Sequence, residues 1–379
     1  MGRSVEEILR ADVIIREVSR IKLPNTTLSD LFGWGLANRD PAAQGANSIA
    51  VDARDGKYDV FNQTRMLASA RVPGTASSRQ APQKVGKVNY TIPRAAETIP
   101  LTDEDLTNRR VIGGPSNILD SAGENYISRQ QRYLAQRFGN MIEFQTAAMC
   151  RGSYTYDQEG DDLHQRFTGG EHTINYRIPT GNLTDLDMLG GGNNILGPTW
   201  ATAGTDIPLA LYEINEAFNQ LVGRGLEHVI TRSAVWNNVL NNTKVAAQGG
   251  SANVVFETLD RRGPGNFTAR LRAIPWVQWH IMDYTLDIWD GSAFTATNLI
   301  ADNHAIFMVE PDQDIAQYFD GGEMVTEGPN GVRTFRNGFY AYGYPTHDPS
   351  GWNLAAIHNG FPGLYNPSAI AYGDTTSSA

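Results

Sequence analysis

The chain has 379 residues, 41% hydrophobic and 19% charged, with a formal net charge of -10. That acidity argues against a protein that wraps nucleic acid, because phosphate binding needs concentrated Lys and Arg. The single cysteine, Cys150, rules out an intrachain disulfide. No run approaches the ~18 apolar residues of a membrane span, and the residues after Met1 lack the apolar core of a secretory signal.

Residues 1–47 read as an arm. Ser4 and Glu7 fit a capping box that opens a short helix through Val5, Ile8 and Leu9. From Pro24 to Gly45 there is no apolar periodicity, so the arm is expected to be disordered or to be ordered by draping over a neighbour. Ile49, Val51 and Ala53 alternate up to Asp55-Gly56, and Tyr58 and Val60 alternate after it, which predicts a hairpin at Asp55-Gly56. A second hairpin is expected from two strand-like runs, Met66–Val72 and Val85–Ile92, flanking the Gly/Ser/Ala/Gln/Pro segment from Pro73 to Gln83. With few large apolar residues it can bury little by itself, so it is either a mobile surface loop or held by a partner.

The clearest helix runs from about Asn117 to Arg151. Ile118, Ala122, Tyr126, Leu134, Phe138, Ile142, Gln145 and Met149 recur at three- and four-residue spacing, and Arg129, Gln130, Gln136 and Glu143 are assigned to the polar side. Gly152 is placed to end it. A second helix is expected over Pro208–Val222, then a strand at His228–Thr231, and Ser233 as the cap of a helix Ala234–Asn242. Strands are predicted at Phe267–Ile274, Trp276–Met282, Tyr284–Trp289, Phe294–Ile300, Ala305–Val309, Val332–Phe335 and Phe339–Tyr344, with turns at Asp290-Gly291 and Gly328-Pro329-Asn330-Gly331. The class is α+β.

A search for chemistry finds little. Gly190-Gly191-Gly192 lacks the lysine and the preceding strand of a phosphate loop and reads as a plain loop. Gly114-Pro115-Ser116 is no nucleophile elbow. The seven histidines never pair at i, i+3 or i, i+4, so a metal site would have to be assembled from distant segments. The acidic run from Asp157 to Asp162 lacks the spacing of a calcium loop. Cys150 reads as a buried small hydrophobe. No cofactor is expected. Trp276, Trp279, Trp289 and Tyr284, with Asp283 and Asp287, leave a different reading open: a β-rich carbohydrate-binding or hydrolytic protein using strands 276–290.

Taken in order, the elements resemble the lambda-type major capsid protein family of tailed bacteriophages. The resemblance is carried by Tyr90-Thr-Ile-Pro-Arg94 through Leu101-Thr-Asp-Glu-Asp-Leu106, and by the run Arg132-Tyr-Leu-Ala-Gln-Arg-Phe-Gly-Asn-Met-Ile-Glu143 ending near Gly152-Ser-Tyr-Thr-Tyr156. Val229-Ile-Thr-Arg-Ser-Ala-Val-Trp236 and Gly338-Phe-Tyr-Ala-Tyr-Gly-Tyr-Pro345 complete it. It implies an HK97-like capsid fold with an N-terminal arm (1–47), a hairpin and extended E-loop (48–103), a P-domain with the spine helix (104–200), an A-domain with a β-rich P-domain return (201–358) and a C-terminal segment (359–379). It also implies a structural rather than enzymatic role: self-assembly into hexamers and pentamers of an icosahedral shell around double-stranded DNA. Implied partners are a separate scaffold, a portal and a cement protein. The site is the virion, assembled in the host cytoplasm without a membrane. Intersubunit contacts are expected at Ile8, Leu9, Arg71, Arg79, Lys84, Lys87 and Arg94. Lys84 and Lys87 also lie in the loop where some relatives cross-link covalently.

Overall fold

The computed structural model describes residues 4–10, 13–14, 26–36, 47–61, 86–107, 109, 119, 121–156, 172–184, 186–192, 194–248, 256–263, 266–289, 293–327, 332–347 and 350–376. Two short helices come first, α1 (Val5–Ile8) and α2 (Thr27–Leu31), then strands β1 (Ser48–Val51), β2 (Asp55–Val60), β3 (Gly86–Thr91) and β4 (Arg94–Thr102). Helix α3 (Asp103–Thr107) precedes the spine helix α4 (Ser121–Cys150). Strands β5 (Ser153–Tyr156), β6 (His172–Asn175) and β7 (Leu183–Thr184) lead to α5 (Ile207–Leu221), β8 (His228–Thr231), α6 (Ser233–Leu240) and α7 (Thr243–Gln248). The remainder is β: β9 (Phe256–Gly263), β10 (Asn266–Leu271), β11 (Ile274–Met282), β12 (Thr285–Trp289), β13 (Phe294–Asn298), β14 (His304–Met308), β15 (Ala316–Glu327), β16 (Val332–His347), β17 (Ser350–Leu364) and β18 (Ile370–Asp374).

The spine helix is 30 residues long, or roughly 45 Å at ~1.5 Å per residue. Its first half is one-sided, with Ile127, Gln131, Leu134, Ala135 and Phe138 buried at helical spacing. From Gln145 to Cys150 every residue is buried, so its second half is encased. Gly152 stops it, with φ 99, a left-handed turn that glycine adopts without penalty.

Two sheets flank the spine. A five-stranded sheet runs β1-β15-β16-β17-β4, and a seven-stranded sheet runs β7-β18-β14-β8-β11-β10-β9. The first lies against the spine: Phe138 meets Phe339 edge-on at 5.4 Å between centroids, and Arg137 reaches Glu97 at 2.7 Å. Where two separate strands were predicted, β16 is one long strand that changes partner. It pairs with β15 up to Asn337 and with β17 from Gly338, whose φ of 68 turns the chain at the exchange. The second sheet is packed by α5 and α6. Asp206 caps α5 by accepting from Leu209 N at 3.1 Å, and α6 lays Trp236 on Trp279 at 5.4 Å. Ser233 is the first residue of α6 rather than its cap, and its N–H donates to Asp283 Oδ1 at 2.8 Å.

Two hairpin expectations are corrected. No turn forms at Asp55-Gly56, because both residues lie inside β2. β2 pairs antiparallel with β3, Asp55 opposite Thr91 and Val60 opposite Gly86, while β1 pairs parallel with β15. The Asp-Gly cue lost to the longer antiparallel partner and to burial of Tyr58 and Val60. The second correction concerns the hairpin stem, which is well anchored in its own chain. Tyr58 packs with Tyr90, Phe319 and Tyr365, and Tyr90 stacks on Phe319 at 5.6 Å. The runs Met66–Val72 and Pro73–Gln83 lie outside the described residues, as does the acidic run after Tyr156.

The described arm is likewise folded onto its own chain. Ser4 Oγ accepts from Glu7 N at 3.2 Å to cap α1, and Val5, Ile8 and Leu9 join the core. Gly343 N donates to Leu9 O at 3.1 Å, an approach that depends on glycine: a Cβ at 343 would lie 2.5 Å from Leu9 Cβ. Gly343→Val should therefore detach residues 4–10 while leaving the two sheets folded. Limited proteolysis checks this, with early cleavage near Arg10 in the variant and protection in the wild type.

Candidate assembly surface

Three fully buried polar side chains sit on the encased half of the spine: Glu143, Gln145 and Thr146. Glu143 is fully buried, which corrects its assignment to the polar face. Its Oε1 accepts from Leu28 N at 2.6 Å and from Tyr284 OH at 2.5 Å, and its Oε2 accepts from Ser29 N at 2.8 Å. Leu28 and Ser29 are in the first turn of α2, where backbone N–H groups lack helical partners. Thr26 does not cap that helix, so a carboxylate from a distant helix does. Two residues on, Gln145 Oε1 accepts from Tyr318 OH at 2.5 Å and Gln145 Nε2 donates to Gly360 O at 3.1 Å. Thr146 Oγ1 accepts from Trp34 Nε1 at 3.0 Å. Arm, spine and both β regions are thus joined through three adjacent side chains.

Burial pushes the Glu143 carboxyl up to about 7, although its three donors pull the other way. The folded value lies above the unfolded one. This group's stabilisation is therefore complete below the unfolded value near 4.5 and is lost as pH rises through about 7. Cys150, four helical positions beyond Thr146, is buried too, and burial pushes its thiol up to about 12, the state of an inert core residue.

The residues expected at intersubunit contacts scatter. Arg71, Arg79 and Lys84 lie outside the described residues. Ile8 and Leu9 are 6% and 2% exposed and belong to the chain's own core, contrary to the expectation that they face a neighbour. Lys87 is exposed on β3, opposite Asp59 of β2. Arg94 holds Glu323 through Nε at 2.8 and 3.0 Å, and Asn359 Nδ2 donates to the same carboxylate at 2.8 Å. Burial alone would raise the Glu323 carboxyl, but these hydrogen bonds outweigh it and hold it below its ordinary value. The concavity beside this pair, lined by Arg54, Ile92, Arg94, Gly321 and Asn359, measures about 270 Å³. That is below the ~300–1,000 Å³ of typical ligand sites.

Large apolar side chains remain on the surface. Met324 and Phe335 are 56% and 47% exposed and face each other across the β15–β16 pair; Phe294 is 65% exposed and Tyr133 51%.

The alternative chemistry finds no constellation among the described residues. Trp279 is fully buried, Tyr284 is bound to Glu143, and Asp283 accepts from Ser233 N, so three of the six residues named for that reading are engaged within the fold; the side chain of Trp289 lies outside the described residues. The glycine triplet is closed on itself: Gly191 N and Gly192 N donate to the two oxygens of Asp187, each at 2.9 Å. One grouping escaped sequence reading. His228 and His280 meet at 3.1 Å and Glu310 joins them, residues 52 and 82 positions apart. Only the strand pairing of β8 with β11 and β14 reveals it.

Comparisons place this geometry among known folds. No protein-family model matches the chain, and no curated protein matches it by sequence. Among solved structures, it is similar over 99% of both chains to a prophage capsid protein of E. coli CFT073, at 12% identity and a TM-score of 0.53. It is similar over 100% of its own length and 99% of the other's to a phage-related protein of Bordetella bronchiseptica RB50, at 10% identity and a TM-score of 0.53. The chain has the HK97-like fold of phage capsid proteins, in an α+β arrangement. No helix among the described residues is long and apolar enough to cross a membrane.

The Glu143 junction yields a pH prediction. Wild-type resistance to urea should fall from pH 5 to pH 8 by up to about 3 kcal/mol, given ~1.4 kcal/mol per pH unit between the two values. Glu143→Gln keeps one acceptor, costs ~1–3 kcal/mol at pH 5, and should flatten that fall. Equal slopes in wild type and variant would show that Glu143 is not the titrating group.

Proposed function

We propose that this chain is the major capsid protein of a tailed bacteriophage, assembling into hexamers and pentamers of an icosahedral head around double-stranded DNA. The observation that carries the reading is the likeness of fold to a prophage capsid protein over 99% of both chains. A likeness that complete spans the arm, the hairpin stem, the spine and both sheets together. On this reading the five-stranded sheet with the spine is the P-domain and the seven-stranded sheet with α5 and α6 is the A-domain. The subunit acts by contact rather than by catalysis.

The physical chemistry fits a shell subunit. The described arm and hairpin stem are fixed to the subunit itself, so among the described residues intersubunit contact falls to what is exposed: Lys87, Arg94, and the apolar residues Met324, Phe335 and Phe294; Arg71, Arg79 and Lys84 are proposed as further contacts from the resemblance alone. A closed shell requires one subunit to repeat the same complementary contact around a ring. The net charge of -10 suits a container that holds DNA without gripping it. A separate scaffold, a portal and a cement protein are the partners such a shell would take, with assembly in the host cytoplasm and residence in the virion.

Expression of the chain with its scaffold should give particles that sediment as closed shells and appear uniform by negative-stain microscopy; monodisperse monomers under every condition would contradict the reading. Lys87→Glu separates folding from assembly. It places a second acid opposite Asp59 on an exposed strand, so monomer stability should change by less than ~1 kcal/mol while shell yield drops several-fold. On a denaturing gel, a band at 41.6 kDa from boiled shells is expected if no lysine cross-link forms.

A further inference from the structure

At one end of the seven-stranded sheet three side chains converge that the sequence keeps apart. His228 opens β8, Glu227 precedes it, and Glu310 lies two residues beyond β14. One ligand atom from each falls within 4.8 Å of the other two, and His228 Nε2 is 2.6 Å from Glu310 Oε2. The imidazole is buried and both carboxylates are exposed, so the group opens to solvent from a rigid floor. The floor is rigid because Glu227 is pinned on both sides. Its N–H donates to Met308 O at 3.1 Å, and its carbonyl accepts from Gln278 N at 2.8 Å. Behind the imidazole stands a second layer: His228 Nδ1 is 3.1 Å from His280 Nε2, and His280 Nδ1 is 3.4 Å from Thr268 Oγ1.

We propose that Glu227, His228 and Glu310 bind one divalent transition-metal ion of the zinc class, His228 through Nε2 and each carboxylate through one oxygen. One imidazole and two carboxylates, with water completing the shell, suit a borderline cation better than calcium or magnesium, which take oxygen alone. The second layer supplies what a metal-bound histidine needs. His228 Nδ1–H donates to His280 Nε2, and His280 Nδ1–H donates to Thr268 Oγ1, which fixes the tautomer that leaves His228 Nε2 bare. Without metal the same chain runs the other way: Thr268 donates to His280 Nδ1, His280 Nε2–H to His228 Nδ1, and His228 Nε2–H to Glu310. His228 Nε2 and Glu310 Oε2 stand at hydrogen-bond spacing; bonds of ~2.0–2.2 Å to a central ion separate tetrahedral ligands by roughly 3.3 Å. Glu310, being exposed, can withdraw by that difference without disturbing the sheet. A bound ion would tie β8 to the segment after β14 within a single subunit, so the proposal stands independently of whether the chain forms shells.

The test uses the full chain, stripped with chelator, loaded with zinc, dialysed and assayed for metal content, with calorimetric titration and melting temperature measured alongside. The expected result is one zinc per chain and a melting temperature that rises with zinc. Glu310→Gln and Glu227→Gln replace exposed side chains, so both should fold and both should lose at least tenfold in affinity. His280→Gln should weaken binding roughly 10–100-fold, the usual effect of removing an outer-layer partner. His172→Gln, on β6, should leave binding unchanged. Failure of the wild type to retain zinc overturns the proposal, as does equal retention by wild type and Glu310→Gln, or an equal loss in His172→Gln, which would place the ion elsewhere.

Discussion

A buried carboxyl group organises the centre of this molecule. Glu143 sits where the spine passes between the arm and the β-rich half, and each of its oxygens accepts a hydrogen bond from the backbone of α2. The tyrosine that completes its shell follows β11 and donates to the same oxygen as Leu28 N. A carboxylate in such a place costs several kcal/mol unless every lone pair is used, and removing one partner leaves the others stranded. The arrangement therefore works as a three-way lock: α2, the spine and the Tyr284 segment occupy their places together or not at all.

The same logic extends along the encased half of the spine. Gln145 and Thr146 hold Tyr318, Gly360 and Trp34, so the five-stranded sheet and the arm are referenced to the same two turns of helix. The other half of the helix is one-sided and offers Tyr133 and its arginines to solvent. A chain built this way is stiff in its middle, and on the proposed reading its contacts lie at the margins: the exposed face of the stem at Lys87, the β15–β16 pair and the solvent face of the spine. That suits a part that must fit the same neighbour repeatedly with small adjustments of angle, because the adjustments can be absorbed outside the locked centre.

Much of this was legible in the residues. The spine, α5 and β8 follow from periodicity and capping, and His228–Thr231 and the Pro208 helix fall within a residue or two of prediction. The order of elements led to the HK97-like fold that the comparison with known structures supports. What stayed hidden was set by partners far along the chain. Asp55-Gly56 carries a strong local turn cue, but β3 and the aromatic cluster around Tyr58 override it. Glu143 looks like a surface residue because periodicity sees only one helix; it cannot register that α2 covers the other side and needs an acceptor. The His228–His280 pair depends on strand order, which spacing does not encode. β17 and β18 go unpredicted because their glycines and small residues, which admit close packing against Phe319 and Leu186, weaken the alternating pattern.

The measurement that bears most directly on the central claim is an icosahedral cryo-EM reconstruction of particles containing this chain. If the chain is the shell subunit, the continuous shell density accommodates this fold in rings of six and of five, spine and both sheets included, with the β2–β3 stem against a neighbouring copy. Shell density that this fold does not fit, with the chain absent or found only as isolated knobs on the outer surface, would contradict it.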